Sequence, residues 1–267
     1  MGYTNRQPPE GINNVETGWQ RDFVILVVGF FAVMALLIWL LVQVLGWSAR
    51  WVPFSWEQAL TRSLEETLEP NEQQVYLQTF ADQLAEAGGL DESLSIVVHY
   101  EDRKTVNAFA TLGGHVFILR GLLEEVETEQ ALAFVLAHEI AHVHYRHPVR
   151  AASRQLGFTV VMAMVFGRTD VGTLVGTGGH MAMLDYSRKQ ELEADAWALH
   201  AVHNLYGHVE DADALFRWLD QQTTSPPAWL SSHPNTRERI QYLNALAQEH
   251  GYPLEGETTP LPAWAQD

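Results

Sequence analysis

Residues Phe23 to Leu45 (FVILVVGFFAVMALLIWLLVQVL) contain no charged side chain and only one strongly polar one, Gln43. A helix of that length reaches about 34 Å at ~1.5 Å per residue, enough for a bilayer hydrocarbon core of ~30 Å. Trp19, Trp47, Trp51, Trp56 and Phe54 flank it, as interfacial anchors do. The run is too long for a signal-peptide core, and no small-x-small cleavage pattern follows it. The expectation is one uncleaved transmembrane anchor. Arg6 and Arg21 precede it and Arg50 and Arg62 follow at similar distances, so the positive-inside count is a tie. A short polar tail can stay in the cytoplasm while the large domain is exported, and the absence of cysteine permits an oxidising compartment. The expected location is therefore a bacterial inner membrane, single-pass, with the following domain in the periplasm.

The sequence divides into a polar tail (1–22), the anchor (23–46), a domain of ordinary single-domain size (47–250) and a Pro-rich, acidic tail expected to be loosely held (251–267). The formal charge of −17 argues against nucleic acid as a partner and against strong adhesion to anionic headgroups. Ser55 to Leu68 and Asn71 to Ala87 read as helices, the second stopped by Gly88-Gly89; Leu94 to Tyr100 reads as a strand. Asn107 to Leu119 (NAFATLGGHVFIL) reads as two short strands around a glycine-containing turn. Leu156 to Leu184 is apolar but broken into pieces of about a dozen residues, short of the ~20 a span needs. A pair of packed helices, or a hairpin dipping into the bilayer surface, is expected there. Helix, helix, three strands and then several helices make an α+β domain, mostly α, with a small sheet.

Chemistry enters at His138-Glu139-Ile140-Ala141-His142. Glu129 to Tyr145 holds no proline or glycine, and Leu132, Val135, Leu136 and Ile140 recur at helical spacing behind Thr128 as N-cap. On that helix His138 and His142 share a face and can reach one cation, with Glu139 at its edge, where it can take a proton from a metal-activated water. A catalytic zinc site has a third protein ligand. Glu191 and Asp195, four apart in a later helical run, present two carboxylates on one face: Glu191 can be that ligand, and Asp195 can accept from a ligating histidine's free nitrogen. A charged helix surface would look the same. His144, His147, His180, His200, His203 and His208 lack a partner pattern and read as surface or packing residues.

Four segments in order resemble the membrane-associated zinc endopeptidases that include HtpX and the CAAX prenyl endopeptidases. They are Asn107-Ala108-Phe109-Ala110 with Gly113-Gly114 and Val116-Phe117; His138 to His142; Ser187-Arg188 with Glu191, Ala194 and Asp195; and Ser232-His233-Pro234 with Arg237 and Arg239. The resemblance implies a zincin-like metallopeptidase domain over roughly residues 55 to 250. It implies one zinc per chain on His138, His142 and Glu191, with Glu139 as general base and Asp195 orienting a ligand. The equivalent His-Pro segment and a downstream arginine lie by the active site in that family. His233 and Arg237, with Arg239 as the alternative to the latter, are thus candidates to stabilise an oxyanion. His233 can instead fill the open zinc position and keep the enzyme latent, or be incidental to a helix start capped by Ser232.

An edge strand beside the zinc, at Asn107, Ala108 and Phe109, can bind an unfolded or extended protein substrate by adding it to the sheet; a hairpin that only packs on the helix is the other reading. The expected function is a membrane-anchored zinc metalloendopeptidase in envelope protein quality control. The competing class is a non-catalytic, metal-stabilised envelope scaffold, against which the presence of Glu139 counts, since a structural site needs no base.

Overall fold

A computed structural model describes residues 18–48, 51–65, 71–155, 186–222, 227–233 and 236–265. The N-terminal tail up to residue 17 and the apolar region 156–184 lie outside the described residues, as does Pro234. Helix α1 (Trp19–Ser48) exposes its apolar side chains along its length and is long and apolar enough, by length and composition, to cross a membrane. Helix α2 (Phe54–Glu65) and helix α3 (Glu72–Gly88) follow. Asn71 caps α3, its side chain accepting from the Gln74 amide at 2.7 Å, and Gly89 ends it in the left-handed conformation.

Strands β1 (Val97–Glu101), β2 (Ala108–Ala110) and β3 (His115–Leu119) form one sheet in the order β1-β3-β2, with β1 parallel and β2 antiparallel to β3. The sheet has one covered edge. Gln78 of α3 accepts from the Val98 amide at 2.9 Å and donates to the Ile96 carbonyl at 3.0 Å. Gln74 accepts from the Tyr100 amide at 2.9 Å and donates to the Val98 carbonyl. Two glutamine amides thus take the place of a neighbouring strand along β1, and the outer edge belongs to β2.

A two-glycine turn joins β2 to β3. Gly113 and Gly114 have φ of 73° and 82°, in the region L side chains avoid, and a Cβ on Gly114 would collide with the Ser95 carbonyl. Helix α2 docks on this turn: the Gly113 amide donates to Glu57 at 3.2 Å, and a Cβ on Gly113 would strike the Thr61 hydroxyl. Beneath it lies a buried polar chain, His99 Nε2 to His115 Nδ1 at 2.8 Å and His115 Nε2 to Thr61 Oγ1 at 3.0 Å, the hydroxyl donating to the Glu57 carbonyl.

After a short helix α4 (Arg120–Leu123), helix α5 (Glu129–His144) runs through the middle of the domain, buried from Gln130 to Val143. Thr128 caps it, accepting from the Ala131 amide. Helix α6 (Arg188–Tyr206) packs along α5, and α3 lies against both; Gly88 sits against the Trp197 ring, where a Cβ would not fit. Helices α7 (Ala214–Gln221), α8 (Ala228–Ser232) and α9 (Thr236–His250) close the far side. The result is a mostly helical α+β domain with a small sheet.

Residues 251–265, expected to be loosely held, instead pack on the domain. The Glu129 amide donates to the Thr259 carbonyl at 2.8 Å, Leu261 and Ala265 are buried, and Trp264 meets Tyr76 edge-on. Apolar residues spaced through the prolines supply the contact that composition alone did not suggest.

Burial, helped by the nearby His115, pushes the His99 imidazole down to about 4. An unfolded histidine titrates near ~6.5, so the unfolded chain binds the extra proton first. The neutral ring's contribution is complete above that value and is lost as pH falls toward the folded one. The difference in unfolding temperature between wild type and His99→Gln should therefore narrow between pH 7 and pH 5; an unchanged difference would remove His99 as the cause.

Candidate metal centre

Helix α5 carries His138, Glu139 and His142, all fully buried. Helix α6 begins with a capping box in which the Ser187 hydroxyl accepts from the Gln190 amide and the Gln190 side chain accepts from the Ser187 amide. That cap fixes the first turn, which delivers Glu191; Asp195 follows one turn later on the same face, and both are buried. His233 stands just past α8, buried. Glu191 lies 3.6 Å from Nε2 of both His138 and His142, and its carboxylate is 3.1 Å from His233 Nδ1. One donor atom from each of His138, His142, Glu191 and His233 falls within 4.8 Å of the others, so the four could hold a metal ion.

The outward-facing nitrogens decide what the inner ones offer. His138 Nδ1 is 3.1 Å from Asp195 Oδ1, and a proton there donates to the carboxylate. His142 Nδ1 is 2.9 Å from His147 Nδ1. Protonated on Nδ1 alone, both histidines would turn Nε2 lone pairs toward each other, 3.0 Å apart, with the Glu191 carboxylate and His233 Nδ1 beside them. Such a set repels itself unless a cation lies between, so the donors fit a metal ion. Both Glu139 oxygens are buried without a hydrogen-bond donor, and His233 Nε2 lies 3.3 Å from Oε1. A buried carboxylate left in that state is costly, which fits a missing neighbour that water or a cation would supply.

Arg239 of α9 is the counter-charge, buried beside these acids. Its Nε and Nη2 grip the Asp195 carboxylate at 2.8 and 2.6 Å, and Nη1 reaches Glu191 at 2.8 Å. Its guanidinium lies over the rings of Phe216 and Trp229, at 4.4 and 5.0 Å. Burial alone would raise the Asp195 carboxyl, but the Arg239 charge and hydrogen bonds hold it below the usual range. Burial would likewise raise Glu191; the charge of His233 and the bonds from His138 and His233 reverse that.

Arg237 is a correction. It points into solvent and pairs with Asp220 at 2.7 Å, far from the cluster, and Arg239 occupies the place expected of it. On α9 the buried face runs through Leu243 and Ala247, four and eight residues beyond Arg239, whereas Arg237 lies nearly opposite. Asn107, just before β2, and Ala108 are buried and Phe109 is half-buried; β2 is the edge strand, against α5. The Leu119 amide donates to the Asn107 carbonyl and the Thr111 amide to the His115 carbonyl, so by alternation Ala108 and Ala110 direct their backbone groups away from β3.

His147, read from sequence as a packing or surface residue, and Tyr186, not singled out there, also belong to the site. Tyr186 stacks on His142, with ring centroids 3.9 Å apart and planes 16° from parallel, and its hydroxyl donates to the Ala110 carbonyl at 3.5 Å. It therefore links the edge strand to a candidate ligand. Its only sequence signal was its place immediately before the Ser187-Arg188 segment.

A His-Glu-x-x-His helix facing a carboxylate on a second buried helix is the arrangement of a metallopeptidase domain. The chain belongs to peptidase family M48, which matches residues 71–247; it carries the domain of a metal-dependent peptide hydrolase. It is 32% identical over 152 residues to the beta-barrel assembly-enhancing protease of Escherichia coli K12, covering 51% of this chain and 31% of the relative. It is 32% identical over 154 residues to the mitochondrial metalloendopeptidase OMA1 of Schizosaccharomyces pombe, covering 54% and 44%. Human mitochondrial metalloendopeptidase OMA1 is 29% identical over 167 residues, covering 56% and 32%. The chain thus spans less than half the length of each of these relatives. HtpX and the CAAX-type peptidases fall in the same family, in agreement with the resemblance carried by the motifs.

Removing one partner of a buried, hydrogen-bonded ion pair costs about 3–5 kcal/mol. Arg239→Ala should lower unfolding stability by that order, and Arg237→Ala should leave the denaturant midpoint where it is. Equal effects of the two would contradict the assignment of Arg239 as the buried counter-charge.

Proposed function

We propose that this chain is a membrane-anchored, zinc-dependent metalloendopeptidase. His138, His142 and Glu191 hold the zinc, Glu139 acts as general base, and Asp195, gripped by Arg239, keeps His138 in the tautomer that binds metal. The observation that carries this reading is the convergence of two Nε2 lone pairs and a carboxylate beside a buried glutamate without a donor. Bound there, zinc supplies Lewis acidity, polarising a peptide carbonyl and bringing the pKa of a water toward neutrality. Glu139 would take a proton from the attacking water as its oxygen bonds to the peptide carbon, and return it to the amine nitrogen as the C–N bond breaks. A non-catalytic scaffold would have no use for a buried base, and the donorless Glu139 carboxylate argues for the enzyme.

Substrate is proposed to be an unfolded or extended segment that pairs with β2 through the outward backbone groups of Ala108 and the Ala110 amide, the Ala110 carbonyl being held by Tyr186, with Asn107 and Phe109 beside it. The edge position of β2 supports this, because the opposite edge is already satisfied by Gln74 and Gln78. His233 would serve as a further metal donor and keep the site latent; its Nδ1 lies 3.3 Å from His138 Nε2 and 3.1 Å from Glu191, which supports a ligand more than an oxyanion donor. Residues 23–46 are the anchor, 47–250 the peptidase domain. The setting proposed is a bacterial inner membrane with the domain in the periplasm, acting in envelope protein quality control. The apolar helix α1 supports the anchor, and likeness to a protease named for beta-barrel assembly supports the envelope.

Casein cleavage by the purified full chain tests the mechanism. Glu139→Gln should lose cleavage by at least about 10²-fold, as removal of a general base does, while still binding one zinc. His138→Ala or Glu191→Ala should lose the zinc itself. A Glu139→Gln protein that cleaves like wild type would refute the assignment of the base. For latency, His233→Ala should cleave faster than wild type; slower cleavage would restore His233 to the transition state.

A further inference from the structure

We infer that His147 is a positioning residue for the metal, holding His142 in its metal-binding tautomer and passing the constraint on toward Glu193. This rests on the zinc site proposed above. His142 turns Nε2 toward His138 and Glu191, so a metal would take that nitrogen and the proton must stay on Nδ1. The group placed to accept that proton's hydrogen bond is His147 Nδ1, 2.9 Å away and fully buried. If His147 accepts on Nδ1, its own proton lies on Nε2, which makes no hydrogen bond here; the carboxylate near it is Glu193, with Oε2 at 3.5 Å on a half-buried side chain that Lys189 also approaches. The two ligating imidazoles are thus held differently. His138 leans on the Asp195–Arg239 ion pair, and His142 on a second imidazole that leads toward the domain surface.

The backbone makes this contact by an unusual route. Helix α5 ends at His144, and Arg146 then adopts φ of 59°, left-handed and unfavourable for a residue with a side chain. That turn folds His147 back onto the helix it has just left, so helical spacing from His142 does not foretell the contact. Arg146 is held in place by donating to the Val52 carbonyl at 2.7 Å and to Glu57 of α2. The strain is retained where it brings an imidazole to a candidate ligand, as expected when a local conformation serves a site.

Zinc affinity of the full chain in detergent, measured by competition with a chromophoric chelator, tests this. Loss of a metal ligand's hydrogen-bond partner weakens metal binding by about 10–100-fold. His147→Phe, which keeps a ring but offers no acceptor, should fall by that factor. His147→Gln, whose amide can accept from His142 and donate toward Glu193, should stay within about threefold of wild type under the same rule. Glu193→Gln, at a half-buried position, should weaken binding less than His147→Phe but measurably. Affinity unchanged in His147→Phe overturns the inference. So does equal loss in His147→Phe and His147→Gln, because a packing role would not distinguish them by hydrogen bonding. Should His147→Phe not fold, an unaltered affinity in Glu193→Gln together with loss in His147→Gln would overturn it. A wild-type chain that binds no zinc would instead refute the proposed metal site.

Discussion

Two imidazole lone pairs and a carboxylate forced together inside a protein are the constraint around which this domain is organised. Packing brings the three groups together: α5 is buried from Gln130 to Val143, and the buried face of α6, through Glu191, Ala194, Asp195 and Ala198, lies against it. Opposing charge offsets only part of the cost of that burial. Arg239 neutralises Asp195 and reaches Glu191, yet both oxygens of the Glu139 carboxylate are left without a hydrogen-bond donor. A cation answers that requirement, and the fold has the geometry of a receptor prepared for one.

Preparation continues outward in layers. Each candidate ligand histidine meets a partner at its far nitrogen, His138 a carboxylate and His142 the His147 ring, and the partners come from different elements. The capping box at Ser187 fixes where Glu191 emerges, and the left-handed turn at Arg146 fixes where His147 does. The β2 edge, tied through Tyr186 to His142, sits close to the same centre. Through Glu57 and Arg146, α2 is joined to the end of the active-site helix. Helix α2 thus bridges the Gly113 turn and the residue that follows α5 by polar contacts.

Much of this was legible in the sequence because it depends on short-range periodicity. The α5 helix, the shared face of His138 and His142, the pairing of Glu191 with Asp195, and the Gly113-Gly114 turn all follow from spacing within one element. What spacing could not reach were contacts made by departures from regular structure. His147 lies beyond a positive-φ residue, and nothing in five residues of separation says that the chain doubles back. The tail after Gly251 looked like a solvated segment by composition, whereas Leu261, Trp264 and Ala265 anchor it to α3 and α5. Arg239 was within reach: the stripe Leu243 and Ala247 already marks its face of α9 as buried, and charge alone favoured neither arginine.

The central claim is a metal held by nitrogen and oxygen donors from two helices, and X-ray absorption at the zinc edge of the purified full chain tests it most directly. The account predicts a four-coordinate shell of imidazole nitrogens and carboxylate oxygen at about 2.0–2.2 Å, with the scattering of at least two histidine rings. A shell of oxygen alone, or one with no imidazole contribution, would contradict it.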